Sequence, residues 1–116
     1  MLERSEGSVD FARPARQVHD RIRGLHPWPG VAVEWEGQRL KISGSSVCEP
    51  GGAPGEILAI DDGVLVGCSA GSVRIAFVQA EGKRVMTGAE FSRGHGMEVG
   101  QKMHAVDGFL PREPRW

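Results

Sequence analysis

The chain has no tyrosine, and its three tryptophans and four phenylalanines bring the aromatic content to only 6%. An extended row of rings for stacking nucleobases is therefore not expected. There are only two cysteines, Cys48 and Cys68, and their spacing fits neither a zinc site nor a disulfide framework. They are expected to be reduced thiols in a cytoplasmic protein. Long apolar runs are missing too, as is the basic-then-apolar start of a secretory leader, so no membrane partner is expected. Net charge is close to absent, at −1 with a pI of about 6.4, which excludes a general attraction to nucleic acid.

What remains is the composition of one globular domain: 116 residues, 40% hydrophobic and 25% charged. The charge is unevenly distributed. Residues 13–41 hold six cations (Arg13, Arg16, Arg21, Arg23, Arg39, Lys41) against Asp20, Glu34 and Glu36, a net of +3. Residues 42–82 hold Arg74 against five acids, a net of −4, and residues 83–116 return to +2. A fold that keeps these segments apart would present a basic side and an acidic side.

Periodicity divides the chain. Residues 1–12 read as a linker-like arm in which Val9 and Phe11 alternate around Asp10. From Pro14, placed for a first helical position, Ala15, Val18, Ile22 and Leu25 recur at steps of three, four and three and share one helical face. His26-Pro27-Trp28-Pro29-Gly30 stops that helix. The period then falls to two. Val31, Val33 and Trp35, a turn at Glu36-Gly37-Gln38, and Leu40 and Ile42 predict a β-hairpin. Residues 43–55, rich in Ser, Gly and Pro, read as a surface loop with room for a short strand at Val47-Cys48. Strands are predicted at Glu56–Ile60, Val64–Cys68 and Ser72–Gln79. Thr87 with Glu90 three residues on forms a capping box for a short second helix ending near Gly94–Gly96. A last strand is expected within Met97–Met103, followed by a tail. Short strands at this spacing, with two helices, favour a small Greek-key barrel over a sandwich.

One colinear set of segments is more specific. The stretch VDFARPARQVHDRIRGLHPWPG, then EWEGQRLKI, APGEIL, DGVLVGC and GSVRIAFVQAEGKRVMTGAEFSRGH, resembles the C-terminal domain of methionyl-tRNA formyltransferases over residues 7–103. The departures are His26, where the family usually has Asn before Pro-Trp-Pro, the acidic pI, and a tail beyond Met103 without a clear counterpart. Met1 falls where the linker between the family's two domains would run. The resemblance implies a mainly β fold: an OB-like Greek-key β-barrel with an N-terminal amphipathic helix and a short second helix. It divides the chain into an arm (1–12), the barrel domain (13–103) and a tail (104–116). In such enzymes an N-terminal domain binds 10-formyltetrahydrofolate, carries the catalytic Asn, His and Asp, and formylates the methionine on initiator tRNA; the C-terminal domain helps to hold the tRNA. Nothing in this sequence matches those catalytic residues. The expectation is therefore a non-catalytic tRNA-holding domain with no cofactor of its own, acting with a catalytic formyltransferase domain in cis or in trans. The alternative is a domain of the same fold repurposed for structural or protein contacts.

Seen through that resemblance, Lys83 and Arg84 in the Glu81-Gly82-Lys83-Arg84 turn are the foremost candidates for RNA phosphate contacts, which supply affinity and register rather than sequence reading. Against them stands an ordinary solvated turn. Arg16, Arg21 and Arg23 on the polar helix face, and Arg39 and Lys41 alternating on one strand face, are further candidates; the plain reading of each is surface charge. Trp28 and Trp35 are better placed as core than as stacking rings, Trp28 plugging the barrel end against Leu25. His26 has neither nucleophile nor carboxylate beside it in sequence and is expected to make a structural hydrogen bond. His95, Met97, Met103 and His104 follow no metal-ligand spacing, so no metal is expected. Cys68, inside a strand, is expected to be buried and inert. The glycines at 51, 52 and 55 lack the following Lys-Ser/Thr pair and helix of a phosphate loop.

Overall fold

A computed structural model describes residues 7–25, 31–80 and 82–105. The fold is mainly β, with two helices set on one continuous sheet. The strands are β1 (Gly7–Ser8), β2 (Val31–Trp35), β3 (Gln38–Cys48), β4 (Ile57–Ile60), β5 (Val64–Gly67), β6 (Ser72–Ala80), β7 (Met86–Thr87) and β8 (His104–Ala105); the helices are α1 (Ala15–Leu25) and α2 (Gly88–His95). The order β1-β2-β3-β6-β5-β4 places β6, the third strand of the β4–β5–β6 meander, beside β3. That is a Greek key.

The sheet closes through the segment that follows α2. Ile57 donates to the Gln101 carbonyl and accepts from Gly100, and Met103 donates to Gly55. Glu56 and Lys102 form an isolated antiparallel bridge. Two residues later His104 and Ala105 pair with Glu34 and Val33 on the edge of β2 away from β3, beyond the stretch that β1 pairs. The Gly100–Ala105 strap thus links β4 to β2 and removes both edges, as barrel closure does. The last strand was expected within 97–103. Regular pairing instead falls at His104–Ala105, because Met97 and Met103 are drawn into the core, at 2% and 1% exposure.

β3 also differs from expectation. The loop foreseen at 43–55 begins only after Cys48, since Ser43, Ser45 and Ser46 form a ladder with Phe77, Ile75 and Arg74 of β6. Pairing with a central strand overrides the turn-like composition. Gly44 within this run has φ +72°, and an added Cβ would stand 2.9 Å from Cδ2 of Phe77. Opposite it, the buried positions of β6 change from odd (Val73, Ile75) to even (Val78, Ala80). One long strand pair therefore serves two differently facing parts of the barrel wall.

The arm does more than lead in. β1 pairs in parallel with β2, and Val9 and Phe11 are buried. α1 begins at Ala15, one residue later than expected, with the Pro14 carbonyl accepting from Val18. Ala15, Val18 and Ile22 face inward, as their spacing requires, and Leu25 packs against the same core. Burying each such Val or Ile side chain contributes about 1.5–3 kcal/mol. The helix start is fastened to the β5–β6 turn by Ala15 donating to Ala70 O and Ser69 donating to Arg13 O. Farther along, His19 Nδ1 meets Ser45 Oγ at 2.7 Å. α1 thus lies across β3 and runs toward the hairpin end of that strand.

α2 has the capping box read from sequence: Glu90 N–H donates to Thr87 Oγ1 and Thr87 N–H donates to Glu90 Oε1, each at 3.1 Å. Gly96, at φ 76°, ends it in the left-handed conformation. The helix delivers Phe91 into the core, edge-on to Trp35 with centroids 5.5 Å apart and stacked on His95 at 4.1 Å. Trp35 Nε1 donates to Gln101 Oε1 at 3.0 Å, which fastens the strap to the barrel interior. Trp35 is core, as expected. His26 and Trp28 lie outside the described residues.

Candidate nucleic-acid interface

The basic candidates are far apart in sequence, and strand register brings four of them together. The β2–β3 turn is tight, with Glu36 and Gly37 both at positive φ, so Arg39 stands directly opposite Glu34. Lys41, two residues on and on the same outward face, pairs with Gln79 of β6. Gln79 Nε2 in turn donates to the Lys83 carbonyl at 2.9 Å, and Lys83 N–H donates to Ala80 O at 3.0 Å. The Gly82–Val85 turn is thereby folded back against the strand that carries Gln79. Arg39, Lys41, Lys83 and Arg84 form one cluster at the hairpin end of the outer barrel wall. Arg39, Lys83 and Arg84 are exposed and Lys41 is half-buried.

The α1 arginines are tied up locally. Asp20 pairs with Arg23 at 3.3 Å and with Arg16 at 3.8 Å. Arg13 Nη1 donates to Gln17 Oε1 at 3.1 Å. Arg13, Gln17, Asp20 and Arg21 line a shallow depression of about 430 Å³. Both Asp20 ion pairs are exposed and contribute little to stability. Their effect is to place a carboxylate in the middle of the helix's cations.

Two of the acidic segment's five carboxylates, Asp61 and Asp62, lie in the β4–β5 turn. There Asp61 accepts from Gly63 N–H at 2.9 Å and from Arg74 Nη2 at 3.0 Å. These bonds, the Gly63 one first, hold its carboxyl below the usual carboxylate range. Arg74, the one cation between residues 42 and 82, is thus committed to a turn far in sequence from the basic cluster.

No other expected chemistry assembles among the described residues. Cys68 is 1% exposed, and burial pushes its thiol up to about 11, so it stays protonated at neutral pH. His95 stacks on Phe91 and approaches the Phe91 carbonyl, while His104 sits on β8 opposite Glu34. Among the described residues, no group of three His, Cys, Asp or Glu side chains is arranged to hold a metal, and no helix is long and apolar enough to cross a membrane.

One residue of this wall was missed in sequence. Extending the Val73–Ile75 alternation puts Phe77 in the core, yet it is 43% exposed, two residues from Gln79 on the face that carries Lys41. The change of inner face beside Gly44 is the cause. A lone Gly between serines opposite the strand's midpoint is the only signal of it in the sequence.

The family model for the formyl transferase C-terminal domain matches residues 1–96. The methionyl-tRNA formyltransferase of Magnetococcus marinus is 39% identical over 103 residues, covering 88% of this chain and 33% of that protein. That of Geobacter sulfurreducens is 39% identical over 104 residues, covering 89% and 33%, and that of Myxococcus xanthus 38% over 103 residues, covering 88% and 33%. The chain therefore spans about a third of the length of the curated relatives it matches. Among solved structures, HypX from Aquifex aeolicus in complex with tetrahydrofolic acid aligns with a TM-score of 0.66 at 21% identity, covering 81% of this chain and 18% of that one. At that identity the likeness is one of fold.

Proposed function

The chain belongs to the formyl transferase C-terminal domain family, and from that premise we propose that it is a non-catalytic domain that holds tRNA. The RNA is initiator tRNA, and the chemistry comes from a catalytic formyltransferase domain, in cis or in trans, in the cytoplasm. In this reading 10-formyltetrahydrofolate binds that other domain and this chain takes no cofactor.

The observation that carries the proposal is the convergence of Arg39 and Lys41 with Lys83 and Arg84 on one exposed wall, through the Lys41–Gln79 register and the Gln79–Lys83 hydrogen bond. Two cations on a strand ladder and two in the adjoining turn suit a run of phosphates, because strand pairing and the Gln79–Lys83 hydrogen bond hold the backbone before the RNA arrives. Arg16, Arg21 and Arg23 extend the same footprint along α1, weakened by Asp20. The overall charge of −1 does not oppose this, since at physiological salt screening confines the interaction to nearby charges.

The test is fluorescence anisotropy of labelled initiator tRNA with the 116-residue chain at several salt concentrations, beside a Lys83→Ala/Arg84→Ala double variant. The expected result is binding that weakens as salt rises, with a log–log salt slope reduced by about 1 for each phosphate contact the variant loses. An absence of binding even at low salt overturns the proposal for the isolated chain and leaves a structural or protein-contact role for the fold.

A further inference from the structure

We propose that the uncovered part of the outer barrel wall stacks an unpaired RNA base on Phe77, with the strand's phosphates held by the surrounding cations. The inference rests on the tRNA-holding reading and deepens it. It assigns a single-stranded nucleotide, rather than duplex backbone alone, to this surface.

α1 covers only part of the wall. His19 meets Ser45, so the helix lies over that stretch of β3 and β6. Beyond that stretch, α1 leaves Phe77 43% exposed. There Phe77 pairs with Ser43 on one side and Thr87 on the other. Among the described residues it is the one Phe or Trp with an exposed ring; Phe11, Trp35 and Phe91 are all buried. Its ring edge, Cδ2 to Cε2, lies against Gly44, where an added Cβ would stand 2.9 and 3.3 Å from those atoms. A glycine beneath the ring holds it without a side chain competing for the surface.

The surroundings define the occupant. Lys41 is diagonal to Phe77 across the β3–β6 pair, within reach of a long side chain. Gln79 is next on the same face and fixes the Lys83 turn. Val85, 50% exposed, adds apolar surface at the end of that turn. A protein partner would bury an aromatic anchor within an apolar patch depleted of charge. This ring instead has Lys41 diagonal to it, with the Lys83-Arg84 turn fastened to Gln79 on the same face. A flat apolar face beside cations matches a nucleotide, whose base is flat and whose phosphate is anionic.

The experiment measures anisotropy with three RNA probes: initiator tRNA, a single-stranded oligoribonucleotide of about six nucleotides carrying 2-aminopurine, and an RNA duplex of the same length. The proteins are the full chain, Phe77→Ala, Phe77→Leu, Phe77→Trp and the Lys83→Ala/Arg84→Ala variant. Phe77→Ala and Phe77→Leu are expected to weaken single-strand binding by about tenfold or more with an unchanged salt slope. The 2-aminopurine quenching is expected to disappear with them and to persist in Phe77→Trp, a gain that misfolding would not produce. Duplex binding is expected to change little.

Salt-dependent tRNA binding with no Phe77 effect on any probe overturns this inference alone. Equal losses on single strand and duplex overturn it as well, making the ring a structural prop. A wild-type dimer that Phe77→Ala converts to monomer, with RNA affinity unchanged, overturns it in favour of a self-association contact. Failure of every RNA to bind at low salt overturns the tRNA-holding proposal and this inference together.

Discussion

Inside and outside the barrel wall, β2, β3 and β6 face opposite demands. On the inner side of the β2–β3 hairpin, Trp35 and Leu40 are buried with Phe91, and the one polar atom of the indole is answered by Gln101. On the outer side, Arg39 has a partner, Lys41 pairs in register with Gln79, Gln79 donates to the Lys83 carbonyl, and Phe77 is half-bare. The inner side is specified by volume and satisfied hydrogen bonds, so a lost contact has nowhere to be regained. The outer side is specified by charge and reach. Its residues can be exchanged at little cost to folding while their effect on a ligand is large. A strand period of two lets a length of 11 residues in β3 serve both sides.

Three substitutions break or sharpen this contrast. Phe91→Ala should do the most damage, removing the ring on which Trp35 and His95 pack, and should lower stability by about 3–5 kcal/mol in urea unfolding. If it leaves the unfolding midpoint unchanged, α2 is not part of the inner side. Thr87→Ala sits at the seam, since Thr87 caps α2 and pairs with Phe77. Loss of the cap should cost about 1 kcal/mol, read as a lower thermal midpoint with RNA affinity retained by the folded protein. The smallest effect is expected from Asp20→Asn, which frees Arg16 and Arg23 from their carboxylate. Melting should hardly move, while tRNA affinity at low salt should rise by roughly two- to fivefold and the gain should fade as salt increases. A gain that survives high salt would mean that Asp20 acts other than by charge.

Much of the inner side was legible. The 3,4,3 spacing of Ala15, Val18, Ile22 and Leu25 placed α1's buried face, and the Thr87–Glu90 pair placed the start of α2. Both are local patterns whose physics acts within a turn or two of chain. The basic residues of the outer side were also legible as candidates, but not as a cluster. Lys41 and Lys83 are 42 positions apart, and only the Lys41–Gln79 register brings them near. Phe77 was hidden because Gly44 marks a change of inner face that strict alternation does not anticipate. The strap was legible only in part: a last strand was expected within Met97–Met103, but not its partners, because the hydrogen bonds of Gly100, Gln101 and Met103 go to Gly55 and Ile57, more than forty residues earlier.

The sequence alone determined the segments and their kinds: an amphipathic helix, alternating strands, a capped second helix and an uneven distribution of charge. It also determined the family, through the order of segments that needs no coordinates to read. Tertiary structure decided which strands are neighbours, where the barrel closes and which cations share a wall. Helical periodicity and capping depend on residues three or four apart, whereas strand register is set by pairing partners that sequence distance leaves free.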